Sequence, residues 1–322
     1  MMKKVKVSLI LSGLIIAGAV IISSCKKSNT TTTPTPDTST TSASDNNLAQ
    51  KNAHDITNFG SEGIDNQGLT SYKLGSNNAG TSPIFLGTSG SVTLTPNGQT
   101  LRVTFYSFVG NDGHTRNGTI LYDWHTSTAG ATWFRDSGLV LNITTPYNDY
   151  TVDNYTVQVN SKTITNNGRN SSGNLNWTDN SNLTITKPAS AGGGTIQWQA
   201  NWTMALLNTS GCTYNGVSYP SVFHGYGGTA SNAINWTNAI LSISSTGFSG
   251  TASDGETYTG NVSNPLVLNL NCTPPGTKYL YVAGTLNFTP TNKTTRTIDY
   301  GSGACDLTCT VSIGSYSVTI TF

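Results

Sequence analysis

Charge is scarce in this chain. Only 10% of its 322 residues are charged, with 16 Lys and Arg against 15 Asp and Glu. Glutamate is nearly missing, occurring only as Glu62 and Glu256. No face can therefore be strongly basic, which argues against a binder of duplex nucleic acid. Leu, Ile, Val and aromatics are too sparse for a polytopic membrane protein. Aromatics are nevertheless too plentiful, and charge too low, for a disordered chain. Strong helix formers are also short, with three Met and few Lys and Glu. Several catalytic signatures are missing: a Gly-x-Ser-x-Gly elbow, a His-Glu-x-x-His pair, a Walker loop and an Asp-x-Asp-x-Asp calcium loop. Gly225-x-Gly227-Gly228 reads as a turn, because no helical pattern follows it. What is abundant is Thr (52), Gly (34), Tyr (14) and Asn, a composition that favours sheet.

The N-terminus carries the sharpest signal. Lys3, Lys4 and Lys6 precede the uncharged run Val7 to Ser24, which ends in small residues at Cys25. Eighteen residues barely reach the length of a membrane span, whereas small residues before a lone Cys are how a cleavable signal ends. Ile22-Ser23-Ser24-Cys25 resembles a bacterial lipobox, which implies removal of residues 1–24 and lipid, including palmitate, on Cys25. Several acyl chains on one residue make a stable anchor. Lys26, where Asp would signal inner-membrane retention, resembles sorting to the outer membrane. Lys26-Lys27-Ser28-Asn29 lacks the acidic cluster that resembles a surface-export signal, so the sequence leaves periplasmic and surface faces open. The lipidated Cys and a Ser/Thr/Pro tether occupy residues 25–47. At about 5–6 Å × √n such a coil spans roughly 20–25 Å.

Four cysteines remain: Cys212, Cys272, Cys305 and Cys309. In a secreted chain they read as disulfides rather than a zinc site, since no His lies near either group. Cys272 ends the apolar run Leu266 to Leu270 and Cys305 follows a Gly turn. Cys272–Cys305 is the preferred pairing, with a loop contribution of about 3–4 kcal/mol. Cys212–Cys309 is then the remainder.

Leu48, Ala49, Asn52, Ala53, Ile56 and Phe59 define one short helix within 48–64, with Asp45 as its N-cap and Gly60 as its stop signal. From about residue 80 to 322 the pattern is period two between Gly, Asn and Pro clusters. A dozen or more strands predict an all-β body of stacked antiparallel sheets, sandwich-like, with one N-terminal helix. Gly90 to Tyr106 also aligns without gaps on Gly284 to Tyr300, including Arg102/Arg296 and Tyr106/Tyr300. That echo reads either as two similar hairpins or as a duplicated sheet unit whose halves meet near residue 190.

Three stretches carry a wider resemblance: Asp112-Gly113-x-x-Arg116-x-Gly118-x-Ile120, Asn166-x-Gly168-x-Asn170-Ser171-x-Gly173-Asn174, and Arg296-x-Ile298-Asp299-Tyr300-Gly301-x-Gly303-x-Cys305-Asp306. Together they resemble an uncharacterised family of β-rich Bacteroidetes lipoproteins over residues 80–322. The resemblance implies one extended unit and no known activity. Its relatives carry a Cys near the first Gly-rich turn, where this chain has Val109-Gly110-Asn111.

Candidate chemistry is thin. His114 and His125 flank one hairpin, but no Cys or acid cluster beside them suggests a metal. Asp112, Asp123, Asp136, Asp299 and Asp306 could supply the paired carboxylates of a glycosidase, yet sequence brings no two together. Asp112-Gly113 and Asp254-Gly255 read more simply as turns. The best lead is aromatic. Trp198 and Trp202 share a strand face, and Trp133 and Trp236 join them as candidates for stacking on sugar rings, against the simpler reading that Trp fills the core. The last strand alternates Tyr316, Val318, Ile320 and Phe322, as an outer-membrane barrel strand does, but no regular series of such strands accompanies it.

The expectation is a lipid-anchored outer-membrane protein acting as a non-enzymatic binding or structural module, for glycan or peptidoglycan. The alternatives are a polysaccharide-processing hydrolase and an adhesion or assembly subunit pairing through a sheet edge. The membrane, through the N-terminal lipid, is the first expected partner. No cofactor, metal or nucleic acid is called for.

Overall fold

A computed structural model describes residues 37–65, 71–73, 87–209, 211–219, 221–222, 236–272, 281–306 and 308–321. The expected signal segment, Cys25 and residues 26–36 of the expected tether lie outside the described residues. Residues 37–322 form one unit.

The chain is all-β around one helix, α1 (Thr41–Asp65). The strands are β1 (Ser71–Lys73), β2 (Gly87–Asn97), β3 (Thr100–Gly110), β4 (Thr115–Asp123), β5 (Val140–Thr144), β6 (Thr151–Val152), β7 (Tyr155–Arg169), β8 (Leu175–Thr186) and β9 (Thr195–Leu206). They continue as β10 (Cys212–Tyr214), β11 (Val217–Tyr219), β12 (Ile240–Thr251), β13 (Thr257–Asn269), β14 (Tyr281–Pro290), β15 (Arg296–Ser302), β16 (Thr308–Ile313) and β17 (Tyr316–Thr321). Rather than separate stacked layers, fifteen strands form one continuous antiparallel sheet in near-sequential order, with β6 bridging β4 and β7. β10 and β11 make a separate small hairpin.

The sheet curls round the helix. Arg116 and Tyr122 of β4, Trp198 of β9, Tyr281 of β14, Tyr300 of β15 and Cys309 of β16 all reach α1, although β4 and β16 stand far apart in the strand order. A flat sheet could not bring both to one helix. Strand alternation supplies the inner face. Along β9, Ile196, Trp198, Ala200, Trp202, Met204 and Leu206 point inward and are buried, while Thr195, Gln197, Gln199, Asn201 and Thr203 are exposed.

α1 is polar yet buried on every side, against the usual rule that a helix buries one apolar stripe. Hydrogen bonds along its length offset part of the desolvation of its polar groups, while the Gln50 side chain and the Asn46 and Asn58 Nδ2 atoms are buried without a partner among the described residues. Trp198 Nε1 donates to Asn46 Oδ1 (3.0 Å), Tyr300 Oη to Asn47 Oδ1 (2.5 Å), and Trp236 Nε1 to Asp65 Oδ2 (2.8 Å). His54 Nε2 lies 2.6 Å from Tyr281 Oη.

The helix starts seven residues before the expected 48 and takes in residues 41–47 of the expected tether. Asp45 is not its N-cap. From inside the helix it accepts from Lys187 Nζ (3.0 Å) and from the Ser253 N–H (2.7 Å), which ties the first turns to the sheet. Gly60 is not its stop either. A Cβ there would lie 2.6 Å from the Tyr122 ring, so the glycine allows the close approach of helix to β4.

The echoed segments are both hairpins, β2–β3 and β14–β15, but they are not copies. Thr95 pairs with Arg102 in the first, while Phe288 pairs with Arg296 in the second, a slip of one residue relative to the sequence alignment. One residue of slip turns a strand over. Arg102 and Tyr106 accordingly face solvent, and their counterparts are buried, Arg296 against Asp37 and Ser39 just ahead of α1 and Tyr300 against Asn47 within it.

Candidate functional site

Cys272 and Cys305 form a disulfide, with Cα atoms 5.3 Å apart. The expected Cys212–Cys309 bond is absent, and both are free thiols. They belong to different clusters. Cys309 lies under α1, where the Asn47 amide donates to its Sγ at 3.7 Å, and burial pushes its thiol up to about 12. Cys212 packs with Tyr214 and Tyr219 against the small cluster that contains Cys272.

The tryptophan platform also fails. Trp198, Trp202 and Trp236 are buried, as are Trp124 and Trp177, and only Trp133 is partly exposed. Their rings pack on each other and on the core: Trp202 stacks on Phe248 and Trp198, and Trp236 meets Trp177 and Phe134 edge-on. The large rings fill the space between helix and sheet alongside buried Ile and Leu side chains. Trp133 carries the Arg135 guanidinium over its face at 5.2 Å.

The histidines end up at opposite ends of β4. His125 bonds Asp123 at 2.7 Å in an exposed turn. His114 sits between two partners, Asp153 Oδ2 at Nδ1 (2.5 Å) and Lys51 Nζ at Nε2 (2.7 Å). This relay rims a pocket of about 80 Å³ lined also by Asp55, Arg116 and Tyr155. Beneath it, Arg116 binds both Asp55 (2.7 Å) and Asp112 (2.5 Å), all three buried. Burial raises Asp55. It would also raise Asp112, but the hydrogen bonds and charge of Arg116 hold that carboxyl below its usual range. Burial lowers the Lys51 pKa against the pull of Asp55 and Asp112. With Asp55 and Asp112 both engaged by one guanidinium and so little room, the pocket does not offer the open carboxylate pair of a glycosidase.

The remaining acid candidates accept from nearby backbone N–H groups, Asp136 and Asp306 in loops and Asp299 on β15. Asp136 accepts from the Thr132 and Trp133 N–H groups, both at 2.9 Å. Asp299 accepts from Gly301 (2.8 Å) and Asp306 from Thr308 (3.0 Å). Asp112-Gly113 and Asp254-Gly255 are Asp turns with glycine at positive φ, as expected. Among the described residues no group of three or more His, Cys, Asp or Glu side chains could hold a metal ion, and no helix is long and apolar enough to cross a membrane.

Among the hollows lined by described residues, a large one lies on the outside of the sheet. A trough of about 680 Å³ crosses β7, β8, β9, β12 and β13, and an adjoining one of about 460 Å³ shares Asn182, Gln199 and Ser249 with it. No charged side chain lines either. Gly247 and Gly260 leave the floor low, and a bulge between Ser245 and Gly247 bends β12 there. The amides are already oriented. Asn160 Nδ2 donates to Asn182 Oδ1 and Thr184 Oγ1, both at 2.9 Å, and Gln199 Nε2 donates to Ser249 Oγ at 2.8 Å. Sequence reasoning passed over these residues because Asn, Gln and Thr recur throughout the chain. The available signal was the run Gln197-x-Gln199-x-Asn201 on one strand face.

No protein-family model matches this chain, no curated protein matches it, and no solved structure matches it.

Proposed function

We propose that the protein is a non-enzymatic envelope module that binds an uncharged glycan in the outer trough and is held at the outer membrane by lipid on Cys25. The observation that carries the binding reading is the trough itself, with oriented amides and hydroxyls and no charge. Sugar hydroxyls donate and accept, and so do Asn, Gln, Ser and Thr. Each neutral hydrogen bond contributes only about 0.5–1.5 kcal/mol, so several must act together along a chain of sugars. A charged peptide stem finds no counter-ion in the trough, which favours a neutral polysaccharide over the peptide part of peptidoglycan. The lipid anchor rests on the positive n-region, the uncharged run and the lone Cys25.

Affinity electrophoresis through gels containing neutral polysaccharides tests the reading. Retardation is expected, unchanged by added salt because no ion pair is involved. Asn182→Ala with Gln199→Ala is expected to weaken it about tenfold. Migration unaffected by any neutral glycan, or retardation abolished by salt, contradicts it. For the anchor, Cys25→Ser is expected to release the protein from the membrane fraction.

A sheet-edge assembly role has one supporting observation. Among the described residues no strand pairs with the far side of β17. Size-exclusion chromatography showing a strict monomer at high concentration counts against it.

A further inference from the structure

We propose that Lys162 and Asp179 condense into an intramolecular amide that joins β7 to β8. Antiparallel pairing sets Lys162 opposite Ser181 and Ile164 opposite Asp179, so the two inward side chains are diagonal neighbours on one face. Lys162 Nζ lies 2.5 Å from Asp179 Oδ2 and 2.7 Å from Ser181 Oγ, and Ser181 Oγ donates to Asp179 Oδ1 at 2.6 Å. The triangle is sealed from water, with the lysine and aspartate side chains 0% and 2% exposed. Across the sheet, Lys162 pairs with Ile143, Asp179 with Trp202 and Ser181 with Ala200.

These contacts supply every part of a condensation. In so dry a site an ammonium and a carboxylate are costly, and burial shifts Lys162 toward its free amine. A first proton passed from Nζ through Ser181 Oγ to Oδ1 leaves a neutral amine beside a neutral acid protonated on Oδ1. The Nζ lone pair attacks Cγ, and a second proton travels from Nζ through Ser181 Oγ to Oδ1. The C–Oδ1 bond then breaks and Oδ1 departs as water. One C–N bond forms, one C–O bond breaks, and nothing is oxidised or reduced. Water opposes amide formation in solution. Here the reacting groups are fixed side by side, where effective molarities on the order of 10⁵ M are reached, and the product removes two buried charges.

Peptide mapping of the full-length protein tests this. Trypsin cannot cut at an acylated lysine. The expected major product is therefore peptide 136–169, uncut at Lys162, joined to the peptide that begins at Asn170, the pair lighter than their sum by one water. Ser181→Ala is expected to leave a larger unlinked fraction. Recovery of 136–162, 163–169 and the Asn170 peptide as separate major species overturns the proposal. A Ser181→Ala variant linked to the same extent as wild type overturns the proton route through Ser181.

Discussion

On β8 the inward residues are Leu175, Trp177, Asp179, Ser181, Leu183 and Ile185, and the outward ones are Asn176, Thr178, Asn180, Asn182, Thr184 and Thr186. β9 repeats the contrast, with Trp198 and Trp202 inside and Gln197, Gln199 and Asn201 outside. Across the described chain, nine Asp, Glu, Lys and Arg residues are buried against seven that are exposed. Charge, normally a surface property, is here concentrated between sheet and helix. The inner face uses ion pairs and aromatic rings to hold a polar helix. The outer face presents neutral hydrogen-bonding groups, Asn160, Asn182, Thr184, Gln199 and Ser249, bonded to one another across the strands. The lesson is that low overall charge need not mean a weakly polar core.

That contrast can be broken by substitution. Replacing Arg116 with Met leaves Asp55 and Asp112 buried without their partner, and stability in urea is expected to fall by about 3–5 kcal/mol. Arg102→Met, on the outer face, is expected to change it by less than about 0.5 kcal/mol. Trp202→Ala should also cost about 3–5 kcal/mol while any protein that still folds retains its glycan affinity. Loss of binding without loss of stability would restore the aromatic platform. Removing the Cys272–Cys305 bond by Cys→Ser at both positions is expected to lower stability by about 3–4 kcal/mol.

The interior also predicts a pH response. Burial lowers His54 to about 4 from 6.5. The unfolded chain binds the proton more readily, so the stability contributed by neutral His54 is complete above about pH 6.5 and is lost as pH falls toward 4. Burial raises Asp65 from 3.8 to about 7, opposed by Arg135 and by the Trp236 hydrogen bond. Here the folded state holds the proton. Its contribution is complete below about pH 4 and is lost as pH rises through 7. The two slopes cancel between about pH 4 and 6.5 in the wild type. In His54→Gln, Asp65 acts alone, and stability is expected to fall by on the order of 1 kcal/mol per pH unit over that range in urea titrations. The smallest stability effect is expected at the trough, where Asn182→Ala should change it by under about 0.5 kcal/mol.

Strand positions were readable where apolar and polar residues alternate, as in Thr195 to Met204. They were lost where inward residues are polar. The second half of β7 carries Lys162 and Asn166 inward, and the first half of β8 carries Asp179, so neither showed the alternation expected of a half-buried strand. The helix was readable only from its few apolar positions, because Asn46, Asn47 and Gln50 gave no sign that they would be buried. Cys272–Cys305 followed from its flanking run and turn, whereas the distance between Cys212 and Cys309 depended on curvature that no local pattern encodes. The trough lies across five strands and was invisible for the same reason.

The helix is the most direct test. If α1 is the polar spine of a closed interior, native-state hydrogen exchange will show amides from Leu48 to Phe59 protected as strongly as those of β8 and β9. Exchange of these amides at rates near those of an unprotected chain, while β8 and β9 stay protected, would contradict a sheet folded round its helix.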